Sequence, residues 1–247
     1  MKNILIYNVI KGKERYETDV LYASLKSQID NSLRFGWNRD DIILGTNFDF
    51  EHNGVKNINL NDICEWNIFC NKWYGVRELM RSGIIDDEFW FHDQDAWQIN
   101  KIEFPKFDGE IAGSTYVYTP EWNSCSMFFK KTALNIVEYI VEFMELNKSL
   151  KLFGDEHYLA IIRNQTEVLE YLSTINNKYN VGLTHMEYRY EAADKPVCVI
   201  GFQPQVEKSL RVFNGENNTY GKNFIDDEMD FIFKTHFKEY REFYGET

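Results

Sequence analysis

The nine residues FWFHDQDAW, Phe89 to Trp97, decide how the rest of the chain is read. Phe89-Trp90-Phe91 is the kind of short apolar run that fills a strand covered on both faces, and two carboxylates, Asp93 and Asp95, follow at once around Gln94. A carboxylate beside a buried strand is costly unless something positive meets it. In an extended chain the side chains alternate, so Asp93 and Asp95 are expected to point one way and Gln94 the other, with their Cα atoms roughly 6.5 to 7 Å apart. Oxygen ligands at that spacing suit Mg²⁺ or Mn²⁺, which fill their remaining positions with water and substrate phosphate. Mutual repulsion also opposes holding both carboxylates ionised without such a cation. An Asp-x-Asp triplet is short and common in turns, so its place carries the reading: ligands of open α/β sheets bind outside the carboxyl ends of the strands, where FWF gives out. His92 reads as a packed residue or one that supports a ligand residue from behind, because the further His and Asp ligands of a histidine-aspartate phosphohydrolase are not found around it.

Working outward, NILIYNV (Asn3 to Val9) reads as an opening strand of the same two-sided kind. Val20, Leu21, Ala23, Leu25, Ile29 and Leu33 recur at helical spacing after Thr18 or Asp19 as N-cap, and Gly36 closes that helix. A second strand is expected at Ile42 to Leu44, a third in KNINL, and a helix over Ile68 to Arg81 ending at Gly83. This β-α-β order predicts a mostly parallel sheet. In the second half GEIAGSTYVY and SCSMFFKK read as strands, NIVEYIVEFMEL as an amphipathic helix and DEHYLAIIRN as the start of another. KPVCVIGF is a strand candidate, and Phe224 to Tyr244 a closing helix.

The bulk properties narrow the classes. With 247 residues, 44% hydrophobic and 16% aromatic, the chain can bury a large core, and no Pro/Gly/Ser-rich linker or repeat divides it. The expectation is one domain over 1–247, with a nucleotide-binding half (1–100) and an acceptor half plus C-terminal helix (101–247). A net charge of −12 argues against broad contact with a nucleic-acid backbone. No secretory signal or membrane span is read from the sequence, and the expected compartment is the cytoplasm. Cys64, Cys70, Cys125 and Cys198 lack the paired spacing of a zinc site and the density of a disulfide scaffold, so they read as reduced thiols. Sequons at Asn147, Asn164 and Asn217 carry little weight without a secretory signal.

Taken in order, ILIYNV, GTNF, FWFHDQDAWQI, NSCSMFFKK, FGDEHYLA and KYNVG resemble a GT-A glycosyltransferase, the α/β fold of nucleotide-sugar-dependent enzymes that use an Asp-x-Asp motif. The resemblance reaches across about two hundred residues. It implies a UDP- or GDP-sugar donor held through Mn²⁺ or Mg²⁺ on Asp93 and Asp95, base and ribose near Tyr7 and Asn8, and transfer to a glycan or other hydroxyl acceptor. It also implies an acidic residue at Asp155 or Glu156 that binds the acceptor hydroxyl or removes its proton; helix capping is the competing role there. Trp122, Asn123 and Ser124 are placed in a loop near the sugars, with Trp122, like Trp97, open to a core role instead. Lys72 is either a phosphate contact or part of a solvated helix face. One departure stands out: several metal-dependent GT-A families place a late histidine on the metal, and here Gly201 and Gln203 occupy that region, with His185 a distant substitute.

Two other readings stay open. A sugar-phosphate nucleotidyltransferase shares the architecture, yet KGKERYE (Lys11 to Glu17) has one glycine where a Gly-rich phosphate loop is expected. A catalytically silent protein of this fold would bind a glycan or nucleotide-sugar without turning it over.

Overall fold

The computed structural model describes residues 1–10, 12, 18–117, 119–182 and 186–201. The expected closing helix, the Asn217 sequon, His185, Gln203 and most of KGKERYE lie outside the described residues. The chain opens with β1 (Lys2–Tyr7), α1 (Thr18–Arg34), β2 (Ile42–Thr46), the short β3 (Glu51–His52) and β4 (Val55–Asn59). A 3₁₀ turn at Ile68–Cys70 leads into α2 (Asn71–Arg81), followed by β5 (Phe89–His92), β6 (Ala96–Gln98), β7 (Ile111–Thr115) and β8 (Trp122–Phe129). Then come α3 (Leu134–Leu146), α4 (Asp155–Ile162), β9 (Leu172–Thr174), β10 (Val181–Gly182), α5 (Met186–Glu191) and β11 (Val199–Gly201). Both early helices end before glycines in the left-handed region, Gly36 at φ 86° and Gly83 at φ 72°, where a side chain would be strained.

Eight strands form one mixed, mainly parallel sheet in the order β3-β4-β2-β1-β5-β8-β7-β9. The run β4-β2-β1-β5 is parallel, and β8 joins antiparallel to both β5 and β7. The apolar runs are continuous because both faces are covered. Ile4, Phe89, Phe91 and Phe129 pack beneath α2, α3 and α4, while Leu5, Tyr7, Ile42 and Leu44 pack against Leu25 and Ile29 of α1. Trp90, Ala112 and Phe128 meet Ala96, Tyr179 and Val199 from the direction of a second, three-stranded sheet, β10-β11-β6.

Trp122, Asn123 and Ser124 are not in a loop; they begin β8, two residues before SCSMFFKK suggested. The reason is packing: Trp122 is fully buried over Gly113, whose missing Cβ would stand 3.1 Å from its indole, and the Arg163 guanidinium lies 4.5 Å from the ring. That ring presents no face to a bound sugar. The β7–β8 register then slips between Gly113/Ser114, so Gly113 pairs with Met127 but Ser114 with Asn123. Such an irregularity re-aims backbone groups, and this one turns the Ser124 N–H away from the ladder.

Candidate active site

Strand β5 stops at His92, and its last ladder partner is taken by Asp93, whose N–H donates to the Cys125 carbonyl at 2.8 Å. The Ala96 N–H then donates to the Asp93 carbonyl at 3.1 Å, closing a tight turn with Gln94 and Asp95 at its corner. The extended alternation expected for Asp93, Gln94 and Asp95 is therefore wrong: the pair sits on a turn between two strands. The turn is held from α1. Gln28 donates to the carbonyls of Gln94 (2.6 Å) and Ala96 (2.9 Å), and Asn31 donates to that of Gln98 at 3.0 Å. The apolar periodicity of α1 gave no sign of this buried polar stripe; the signal available was the spacing of Ser24, Gln28 and Asn31 along one face.

A cleft of about 750 Å³, open solvent at its mouth included, lies at the carboxyl end of β1 and is lined by Tyr7, Asn8, Asn71, Lys72 and Asp93 among others. Four of the site residues expected from sequence thus line one cleft. Asn47 clamps the main chain beside them, accepting from the Val9 N–H at 2.8 Å and donating to the Val9 carbonyl at 2.7 Å. Among the described residues, both side-chain polar atoms of Asn8 and Nδ2 of the buried Asn71 have no hydrogen-bond partner. Unpaired buried amides are uncommon and point to a polar ligand.

Lys72 is not on a solvated face. Its Nζ donates to Asp93 Oδ2 at 2.9 Å and to Ser124 Oγ at 3.1 Å, and lies 3.6 Å from Asp155 Oδ2. Burial alone would lower its pKa; the charges of Asp155 and Asp93 and the Asp93 hydrogen bond overcome that and push it above its ordinary value. Asp155 Oδ2 also accepts from Trp73 Nε1 at 2.9 Å. Asp155 is the first residue of α4 rather than its cap, a place held by Gly154. Its charge favours the helix N-terminus while its carboxylate is fixed by Trp73 and Lys72.

The neighbouring Glu156 belongs to a second cluster. Its Oε1 accepts the displaced Ser124 N–H at 2.9 Å and its Oε2 accepts the Tyr116 hydroxyl at 2.6 Å. Asn123 Nδ2 donates to that hydroxyl at 2.7 Å. Burial, then the charge of Asp155, raises the Glu156 pKa. Burial and the charges of Asp95, Asp93 and Glu156 together hold the Cys125 thiol well above its ordinary range, so carboxylates from two segments converge on Cys125. His92 is packed, as expected. It stacks on Trp90 with ring centroids 4.0 Å apart, and its Nε2 meets Asn3 Oδ1 at 3.1 Å. Its Nδ1 faces the Asp93 carbonyl at 3.2 Å, so both ring nitrogens meet acceptors and the neutral ring donates to one of them; Asn3 in turn donates to Ser32 and Ser32 to the Gln28 carbonyl.

For a metal, Asp93 and the buried Asp95 are the available hard ligands. Among the described residues no group of three or more His, Cys, Asp and Glu side chains could hold an ion. A cation here would have two protein carboxylates and complete its shell with water and phosphate, which suits Mg²⁺ or Mn²⁺. Among the described residues no helix is long and apolar enough to cross a membrane, and all four cysteines are free thiols.

No family model matches the chain. Among curated proteins it is similar to the magnesium and cobalt efflux protein CorC of Buchnera aphidicola subsp. Baizongia pistaciae (strain Bp), 28% identical over 111 residues, 44% of this chain and 39% of that protein. Among solved structures it resembles the glycosyltransferase GlyE of Streptococcus pneumoniae TIGR4, with a TM-score of 0.58, 8% identity and coverage of 99% of this chain but only 63% of the other. It also resembles an active-site mutant of LgtC, with a TM-score of 0.57 and 12% identity over 99% of this chain and 95% of that one. A third likeness is to a glycosyltransferase that acts in glycosylation of the major capsid of PBCV-1, with a TM-score of 0.54 and 9% identity over 81% and 93% of the two chains. At these identities the likeness is one of fold, and the fold is GT-A. The chain thus spans less than two thirds of GlyE and about two fifths of CorC.

Proposed function

We propose that the protein is a metal-dependent glycosyltransferase that moves a hexose or pentose from a UDP- or GDP-sugar to a hydroxyl acceptor. The observation that carries the reading is the Asp93–Ala96 turn: it sets two carboxylates at the carboxyl end of β5, beside a cleft at the end of β1 whose walls hold unpaired amides. Asp93 and Asp95 would hold Mn²⁺ or Mg²⁺, whose charge offsets that growing on a departing diphosphate. Asn8 and Tyr7 bind base and ribose, and Asn71 Nδ2 donates to an acceptor atom of the same ligand. Lys72 reaches phosphate from α2 while Asp155 fixes its ammonium. Asp155 and Glu156 are the acceptor-side carboxylates, and Glu156, whose raised pKa favours holding a proton, is the better fitted to take one from the attacking hydroxyl.

The test is a panel of UDP- and GDP-sugars followed by thermal unfolding with Mn²⁺ and again with chelator, then by nucleotide release. A donor that stabilises only with metal, and is slowly hydrolysed, supports the reading. Asp95→Asn should abolish both effects. If Asp93→Asn and Asp95→Asn leave metal-dependent binding and turnover intact, the motif assignment is wrong.

A second reading has one observation in its favour. Lys72 already neutralises Asp93 and Asp155 from within the chain, which fits a silent GT-A-like protein that binds a nucleotide-sugar or glycan without turnover. Donor binding without nucleotide release at any metal concentration selects it.

A further inference from the structure

Arg189 on α5 is fully buried, yet no carboxylate lies within ion-pair distance of it among the described residues. Among the described residues its Nε and Nη1 have no hydrogen-bond partner and only Nη2 is engaged, donating to the Asn180 carbonyl. Room for it is kept by Gly182, whose Cβ, if present, would stand 2.8 Å from Nη1. A desolvated guanidinium is expensive, so one held without a carboxylate partner calls for a role.

Its contacts run one way. Asn180 Nδ2 donates to Asn123, at 2.7 Å to Oδ1 and 3.0 Å to the carbonyl. Asn123 Nδ2 donates to the Tyr116 hydroxyl at 2.7 Å, and that hydroxyl donates to Glu156 Oε2 at 2.6 Å. Arg189 holds Asn180 by its main-chain carbonyl, and from the Asn180 side-chain amide onward each group donates to the next as far as the carboxylate, so those side-chain bonds polarise one another. The guanidinium carbon also sits 5.2 Å from the Tyr116 ring centroid, bracing the ring that carries the final hydroxyl. This links α5, the 176–180 turn, β8 and the end of β7 to the start of α4.

We infer that Arg189 is a positioning residue that, through Asn180, Asn123 and Tyr116, fixes the orientation of Glu156 and favours its ionised form. Its consequence for catalysis rests on the proposed role of Glu156 in transfer; its effect on the carboxylate does not. The other charged or titratable groups facing Glu156 are Asp155 on its own helix, Lys72 from α2, Tyr116 and Cys125. Asp155 raises its pKa and Lys72 lowers it. Arg189 works with Lys72.

The experiment follows the Glu156 carboxyl by ¹³C NMR across pH in the full chain, the signal being assigned by its absence from Glu156→Gln. Arg189→Met should raise the titration midpoint by about half a pH unit or more. Arg189→Lys should return most of the shift. Tyr116→Phe, which cuts the chain at its last bond and keeps the arginine, should raise the midpoint as well, and it carries the test if Arg189→Met does not fold. An unchanged midpoint in both variants overturns the inference. In parallel, release of nucleotide from UDP-glucose, UDP-galactose and GDP-mannose with Mn²⁺ should show kcat down about tenfold in each variant, KM within about twofold, and no further loss in the double variant. Additive losses in kcat overturn it too. No release by the wild-type chain, with the midpoint shifts present, removes the transfer reading and leaves the Arg189–Glu156 coupling standing.

Discussion

Lys72 is the residue whose character changes most between sequence and structure. On a helix dotted with charged residues it looks solvated; in the fold it is 11% exposed with Asp93, Asp155 and Ser124 around it. Removing one partner of such a pair leaves charge uncompensated, so Lys72→Met should destabilise by about 2 to 3 kcal/mol, reduced from the fully buried case because Asp93 is partly exposed. If Asp93 also binds metal, Mn²⁺ should raise the melting temperature of Lys72→Met more than that of the wild type. Equal increments would show that the two cations do not share Asp93. His92 gives a separate handle. Burial pushes its pKa down from 6.5 to about 4, so the folded chain favours the neutral ring. Stability from this group is fully present above pH 6.5 and is lost as pH falls towards 4, by at most about 3 kcal/mol. Urea midpoints measured across that window should drop in the wild type and change less in His92→Asn.

At the scale of elements, helices and strands were legible wherever apolar spacing set them: α1, α2, α3, α4 and the strands β1, β2, β4, β5 and β7 fall within a few residues of expectation. Two things were not, for related reasons. The slip of β8 against β7 follows from Trp122 lying over Gly113, a tertiary contact that no local pattern announces. The Asp93–Ala96 turn follows from β6 leaving for the second sheet immediately afterwards, so the carboxylates sit at a corner rather than along a strand. What steadies that corner is the polar side of α1, and this can be tested directly. Gln28→Leu keeps the volume roughly but deprives the Gln94 and Ala96 carbonyls of their donor, which should cost about 2 kcal/mol. Donor affinity in the presence of Mn²⁺ should fall with it, because the turn that carries both carboxylates loosens. A variant with lowered stability and unchanged donor affinity would show that α1 supports the fold but not the site.

For the whole molecule, one sheet separates an inner core under α2, α3 and α4 from another against α1, and the alternation along β1 feeds both: Ile4 one way, Leu5 the other. The site sits at the edge where these layers meet, since Tyr7 belongs to the α1 core and Lys72 comes from α2. This arrangement makes a claim about stability. Phe129 stacks on Phe89 at 4.6 Å and meets Trp73 edge-on at 5.8 Å, whereas Leu25 packs with the other core and shares none of these neighbours. Phe129→Ala should cost about 3 to 5 kcal/mol and Leu25→Ala about 2 to 5, each by transfer of lost area and by the cavity left behind. Groups without shared partners combine additively to within about 0.5 kcal/mol. The double variant should therefore lose the sum of the two, and because the strands between them are common to both cores, it should do so in one unfolding transition. Additive losses with two resolved transitions would mean that the sheet does not couple its faces and that the cleft spans two separately melting layers. A single transition at the summed loss would mean that anything binding Tyr7 and Lys72 together is reporting on the stability of the entire fold.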